Sequence, residues 1–276
     1  MLPSFSYPVE EQYYAPDLFE DIVGRLTELE IDLNDVSRND IAGVDEFHVR
    51  GAEVSKELVN DLGLIESTVL DVGCGIGGPS RMIADKFNSK VTGIDISQEY
   101  IRTAQKLSDL VGLSDKTSFI QADALNLPFD NGSFDVVWTQ HVQMNIEDKS
   151  RFYSEIKRVL KDNGVFIYYD IFRLNGKDVN YPVPWANDAS ISFLATTTEM
   201  DKILRGLGFT KSKSTDQTYK ATQFLIGLFE KVKKNGLPKL GLNVLMGDAT
   251  KEKLGNILKG LEEEKIALQS GVYRKM

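Results

Sequence analysis

Short apolar runs bounded by turn formers alternate along the first two thirds of the chain with segments whose apolar residues return every three to four positions. TVLDVGCGIGG (Thr68–Gly78) reads as a buried strand that passes into a glycine-rich turn and then a helix. KVTGIDIS (Lys90–Ser97), TSFIQADALNLPF (Thr117–Phe129), FDVVWTQHV (Phe134–Val142) and GVFIYYDIF (Gly164–Phe172) predict strands two to five. Between them, SQEYIRTAQKLSDLVGL and EDKSRFYSEIKRVLKDNG are amphipathic at helical spacing, the second opened by Glu147/Asp148 and closed by Asn163-Gly164. Upstream, residues 17–42 hold one short helix among polar connections, and 47–62 read as a helix feeding the first strand. Strand and helix in alternation imply an α/β, Rossmann-like, doubly wound sheet.

Past the fifth strand, NGKDVNYPVPWANDASISFL is rich in turn formers and aromatics, and is too apolar to be a linker. TTTEMDKILRGLGF predicts a helix with a capping box at Thr196–Glu199, and FTKSKSTDQT a sixth strand. YKATQFLIGLFEKVKKNG and DATKEKLGNILKGLEEEKIAL are two helices separated by LPKLGLNVLMG, and QSGVYRKM is a last strand, about seven in all. The chain thus divides into an N-terminal helical segment or lid (1–62), a Rossmann-like core (63–216), a helical insertion (217–268) and a terminal core strand (269–276). The insertion reads either as a cap over the carboxyl edge of the sheet, where ligands bind in open α/β folds, or as a homodimer contact.

The glycine turn carries the chemistry. Glycines 73, 75, 77 and 78 let backbone N–H groups and a helix N-terminus come up against a ligand. Gly73-x-Gly75-x-x-Gly78 also satisfies the dinucleotide fingerprint, which leaves a nicotinamide-dependent oxidoreductase as a competing class. Asp71, just ahead of the turn, tips the balance, because it would repel a pyrophosphate and attract an ammonium group. S-adenosylmethionine has an ammonium, a sulfonium and no phosphate. Asp95, beside Ile96, follows Gly78 at roughly the interval at which an acid meets a ribose diol. Asp123 could accept the adenine amine while Ala124 supplies a backbone N–H. Cys74 inside the turn reads as a small residue tolerated beside the ligand.

LDVGCGIGG, VTGIDIS, QADALNLPF, FDVVWTQHVQMN and RVLKDNGVFIYYD, in this order, resemble a class I S-adenosylmethionine-dependent methyltransferase over about residues 45–210. Within that family the chain is most similar to the small-molecule branch, which includes sarcosine/dimethylglycine N-methyltransferases, tocopherol C-methyltransferases and ubiquinone-type C-methyltransferases. The resemblance implies S-adenosyl-L-methionine as cofactor, S-adenosyl-L-homocysteine as product and a small-molecule methyl acceptor. It also implies a near-direct hairpin of strands six and seven, where this chain inserts roughly 45 residues of helix. The first acceptor reading is the nitrogen of a small amine such as sarcosine or dimethylglycine. The alternative is C- or O-methylation of a phenolic, quinone-like or prenyl metabolite. A cofactor-binding protein without turnover is a third class, against which nothing in the motifs looks degraded.

Composition narrows the partners. The formal charge is −9 with no Lys/Arg block, which argues against nucleic acid or an anionic membrane as the main partner. A single cysteine excludes an internal disulfide or a zinc cluster and suits a reducing, cytoplasmic setting. The first residues lack a signal-peptide pattern, and no apolar run is long enough to span a bilayer.

Of two histidines, His141 stands just past the fourth strand, beside the expected methyl group, where it could serve as general base, orient the cofactor or cap a turn. Many relatives carry a histidine where Asn145 stands here, so no histidine role transfers directly. Gln140 reads as a partner of the methionine moiety, and Gln143 shares its loop near the acceptor. His48 precedes the first strand in a segment that relatives close over the methionine end, where Arg50 would suit the carboxylate. Tyr13 and Tyr14 belong to the same lid or simply pack. Tyr168, Tyr169, Tyr181, Trp185 and Phe193 either surround the acceptor or form core under a long loop. Asp170 could act as base, pair with an amine or cap a turn.

Overall fold

Seven strands form one sheet in the order β3-β2-β1-β4-β5-β7-β6 in the computed structural model, which describes residues 8–59, 66–174 and 176–276. They are β1 (Thr68–Val72), β2 (Lys90–Asp95), β3 (Thr117–Gln121), β4 (Phe134–Gln140), β5 (Leu160–Arg173), β6 (Phe209–Asp216) and β7 (Ile266–Lys275). The first five pair in parallel, and β7 runs antiparallel between β5 and β6. Chain order reverses between β1 and β4, so a crevice opens at their carboxyl ends.

Helices α1 (Pro8–Gln12), α2 (Leu18–Glu28), α3 (Arg38–Asp45) and α4 (Ala52–Val59) precede the sheet. Then come α5 (Gly78–Phe87), α6 (Gln98–Leu110), α7 (Lys149–Val159), α8 (Thr197–Gly206), α9 (Thr218–Asn235), α10 (Asn243–Met246) and α11 (Thr250–Glu262). Side chains alternate across a strand, and β5 shows the consequence. Ile167, Tyr169 and Ile171 join the core under α4, α9 and α11, whereas Phe166, Tyr168 and Phe172 join the core under α7 and α8. A third cluster unites α2 and α3 with Tyr100 and Leu107 of α6. Thr196 and Glu199 form the expected capping box on α8.

Several boundaries differ from the sequence pattern: the helix expected over 47–62 begins only at Ala52, and the third strand ends at Gln121. Residues 17–42 hold α2 and most of α3, not one helix, because Ser37 and Asp40 form a capping box that starts the second. Helix α7 stops at Val159, before Asn163-Gly164, since Leu160 is already extended and opens β5. Strand β7 begins at Ile266, where Ile266, Ala267 and Leu268 pair with Arg173, Phe172 and Ile171. The residue 62/63 boundary lies outside the described residues.

The glycine turn is held from behind. Arg81 on α5 is fully buried and donates to Asp45 of α3, to Ile76 O at 2.6 Å, and to Ala104 O and Ser108 Oγ of α6 at 3.1 and 3.2 Å. A Cβ on Gly78 would lie 1.9 Å from the carbonyl oxygen of Asp45, so α3 and α5 approach through this glycine. Gly78→Ala should therefore destabilise the fold by about 1–3 kcal/mol through overpacking. The measurement is the urea midpoint, and an unchanged midpoint would sink the packing account.

Candidate active site

A cavity of about 480 Å³ lies over the carboxyl ends of β1, β2 and β4. At its inner end the turn after β1 bends through Gly73 (φ 70°) and Gly75 (φ 56°), conformations that side chains resist. Gly75 faces open space, and its N–H donates to Asp95 Oδ2 at 3.0 Å. Asp95 also accepts the Ser97 N–H at 2.9 Å, and burial pushes its carboxyl above the usual range. Ile96, Asp123 and Ala124 continue this wall, and Asp123 accepts the Leu125 N–H at 2.8 Å. Asp71 lines the floor, bonded to Ser80 at 2.6 Å, and burial raises its pKa to about 7. Cys74 also lines it, with its thiol pushed up by burial and therefore not poised as a thiolate.

The other end is built by the residues after β4. Gln140 Oε1 accepts the Trp138 indole N–H at 2.9 Å, which aims Nε2 at Ser55 and His48. His141 sits at φ 53° and its N–H donates to Tyr169 O at 2.8 Å. Its Nε2 is buried without a partner among the described residues. Burial, with a smaller contribution from His48, holds the His141 ring well below 6.5, so it is neutral at neutral pH.

Several expected residues stand elsewhere. Gly78 does not line the cavity, because its missing Cβ makes room for α3. Arg50 faces Glu57 at 2.7 and 3.2 Å and Gln217 at 3.0 Å, so its guanidinium is held away from the cofactor position. Asp170 is buried beneath the 141–145 loop and accepts the N–H groups of Val142, Gln143 and Ile171 at 3.4, 3.2 and 3.1 Å. It caps a turn, and burial raises its pKa to about 7. Gln143 points down to Ile171 O at 2.7 Å and not at the acceptor. Tyr169 packs behind His48 and His141, Tyr181 packs on the apolar core, and Tyr14 is 73% exposed, so none of the three lines the cavity. Of the expected acceptor aromatics, Trp185, anchored to Ser192 Oγ at 2.9 Å, and Phe193 line it, whereas Tyr168 packs in the core under α7 and α8.

The outer wall combines Tyr13, one of the two residues read as lid or packing, with residues that the sequence reading did not name. Tyr13 crosses the opening to Asn145 Oδ1 at 2.8 Å. Phe47, Met144, Ile191 and, from the insertion, Phe224, Leu225, Leu228, Leu254 and Ile257 line the rest. The spacing of Phe224, Leu225 and Leu228 on one helical face was the available signal. Asp45, Asp71, Asp95, Asp123 and Glu147 line the cavity, and no Lys or Arg among the described residues does. Acids at one end suit a cationic ligand, and the ribose and adenine positions suit an adenosine. The residues therefore fit S-adenosylmethionine.

Residues 70–168 match the family described as methyltransferase domain. Over those residues the chain carries a methyltransferase domain. A sterol 24-C-methyltransferase of Gibberella zeae is 41% identical over 102 residues, 37% of this chain and 27% of that protein. The chloroplastic tocopherol O-methyltransferase of Arabidopsis thaliana is 42% identical over 99 residues, 36% and 28% of the two chains. The matched stretch thus spans less than a third of either relative's length. In fold, the chain is similar to a structure described as a putative sarcosine dimethylglycine methyltransferase from Galdieria sulphuraria, with TM-score 0.65, 17% identity and coverage of 93% and 98%.

Two predictions test this domain's site. Asp95→Ala should weaken S-adenosylhomocysteine binding by about 1.5–3 kcal/mol, the worth of a hydrogen bond to a charged group, and calorimetry with unchanged affinity would remove Asp95 from the site. The second concerns Asp170, whose raised pKa means the folded state keeps a proton that the unfolded state releases near 3.9. Its contribution is therefore full below about pH 4, falls as pH rises to about 7 and is flat above. The stability difference between wild type and Asp170→Asn, from urea unfolding across that window, should show this decline.

Proposed function

We propose that this protein transfers the methyl group of S-adenosylmethionine to a carbon or oxygen of a largely apolar small molecule. Among the acceptor classes, this is the phenolic, quinone-like or prenyl one, and the small amines fit the cavity less well. The observation that carries the reading is the cavity's outer half. Phe224, Leu225, Leu228, Leu254, Ile257, Met144 and Trp185 surround it, while no Lys or Arg is present among the described lining residues to meet an acceptor carboxylate. Burying an unpaired carboxylate there would cost several kcal/mol.

The sulfonium, when bound, supplies an activated methyl group and a good leaving group. The chain's own work is to align the acceptor, exclude water and take up a proton. His141 Nε2 is suited to the last task, being unpartnered and held neutral. Its neighbours keep it aimed, since the backbone bond to Tyr169 O and the Asp170 cap fix the 141–145 loop.

The test is a labelled-methyl screen of hydroxylated and unsaturated apolar acceptors beside glycine derivatives. Turnover on the first group is expected, and turnover confined to glycine derivatives would refute the acceptor class. On the best acceptor, His141→Ala should lose about 10²–10⁴-fold in kcat with little change in cofactor Kd. The pH–rate profiles of wild type and variant should show no difference in inflection near pH 6.5, because burial keeps the His141 ring neutral there. Wild-type kcat in the variant would make His141 structural.

A further inference from the structure

We propose that His48, oriented by Glu46, binds the carboxylate of the cofactor's methionine moiety. This rests on the cofactor reading above and assigns a partner that the reading leaves open. The adenosine positions at Asp95, Asp123 and Ala124 lie on the β2 and β3 side, so the methionine moiety extends toward the end of β4. His48 is there, with Nε2 at 3.1 Å from Gln140 Nε2 and its ring edge-on to His141 at 5.9 Å.

Charge accounting singles it out. An amino-acid moiety brings an ammonium, which the acidic floor suits, and a carboxylate, which it repels. Among the described lining residues, only the two histidines have side chains that can offer that carboxylate a positive charge. His141 has no acidic partner, whereas His48 has Glu46 Oε2 at 3.3 Å, and Glu46 is itself fixed by Ser55 Oγ at 2.5 Å. Nε2 of His48 is surrounded by Glu46, Gly51 O, Ser55 and Gln140, which leaves Nδ1, without a partner among the described residues, for the cavity. An N–H at Nδ1 would donate to a carboxylate placed there. Arg50, two residues on, does not compete for this role because Glu57 and Gln217 hold it.

Calorimetry with two ligands tests the assignment: S-adenosylhomocysteine, and decarboxylated S-adenosylmethionine, which lacks only the carboxylate at that end. His48→Ala should weaken the first about 10–100-fold, as expected for a charge-assisted hydrogen bond, and leave the second within about twofold. Glu46→Gln should show a smaller loss with the same selectivity. Equal losses on both ligands would make His48 a structural residue and overturn the assignment, as would an unchanged affinity for S-adenosylhomocysteine. Wild-type protein that binds neither ligand would instead overturn the cofactor reading, and this inference with it.

Discussion

A guanidinium shut away from water needs protein oxygens for its N–H groups, and Arg81 directs those of its two terminal nitrogens at three elements, while its Nε has no partner among the described residues. It reaches Asp45 at the end of α3, Ile76 in the glycine turn, and Ala104 and Ser108 on α6. Removing one partner of such a buried pair leaves an uncompensated charge, at a cost of about 3–5 kcal/mol. The position of the turn relative to both helices is therefore set by this one side chain. The glycines divide accordingly. A Cβ on Gly77 would meet Arg81 at 2.8 Å and one on Gly78 would strike the Asp45 carbonyl, whereas Gly75 faces open space on the cavity side. Half of the motif serves the scaffold and half serves the ligand.

Electrostatics inside the cavity follow from the same architecture. The parallel strands deliver Asp71 and Asp95 to adjacent carboxyl ends, and burial raises the pKa of both. Carboxyls that resist ionisation when the site lacks a cation become good partners for one that arrives with its own positive charges. Site and cofactor thus complete each other. A third acid plays a different part, since Asp170 is spent on three backbone N–H groups and fixes the loop that carries His141. The strained φ of His141 persists because that loop is held from both sides.

The insertion between β6 and β7 converts a cofactor crevice into a two-part cavity. Helices α9 and α11 pack on the sheet through Ala221, Leu225, Leu254, Ile257 and Leu261. The same faces present Phe224 and Leu228 to the cavity. Core and outer cavity wall are therefore one continuous apolar surface, and the wall's shape depends on how the core packs.

Strand–helix alternation, the glycine turn and the acids that end β2 and follow β3 were legible in the chain, because each is a local pattern with a period or spacing of its own. Asp95, Asp123, Ala124 and Trp185 consequently stand at the cavity as expected. Arg50 and Gln143 were misplaced for a shared reason. Each lies next in sequence to lining residues, Val49 for Arg50 and Val142 and Met144 for Gln143, but which way its side chain points is decided by a distant partner. For Arg50 the partners are Glu57 and Gln217, and for Gln143 the partner is Ile171. The same holds for the adjacent pair Tyr13 and Tyr14, of which Asn145 selects the first. Local order belongs to the sequence, whereas the direction of a polar side chain belongs to the long-range hydrogen bonds that only the folded chain can form.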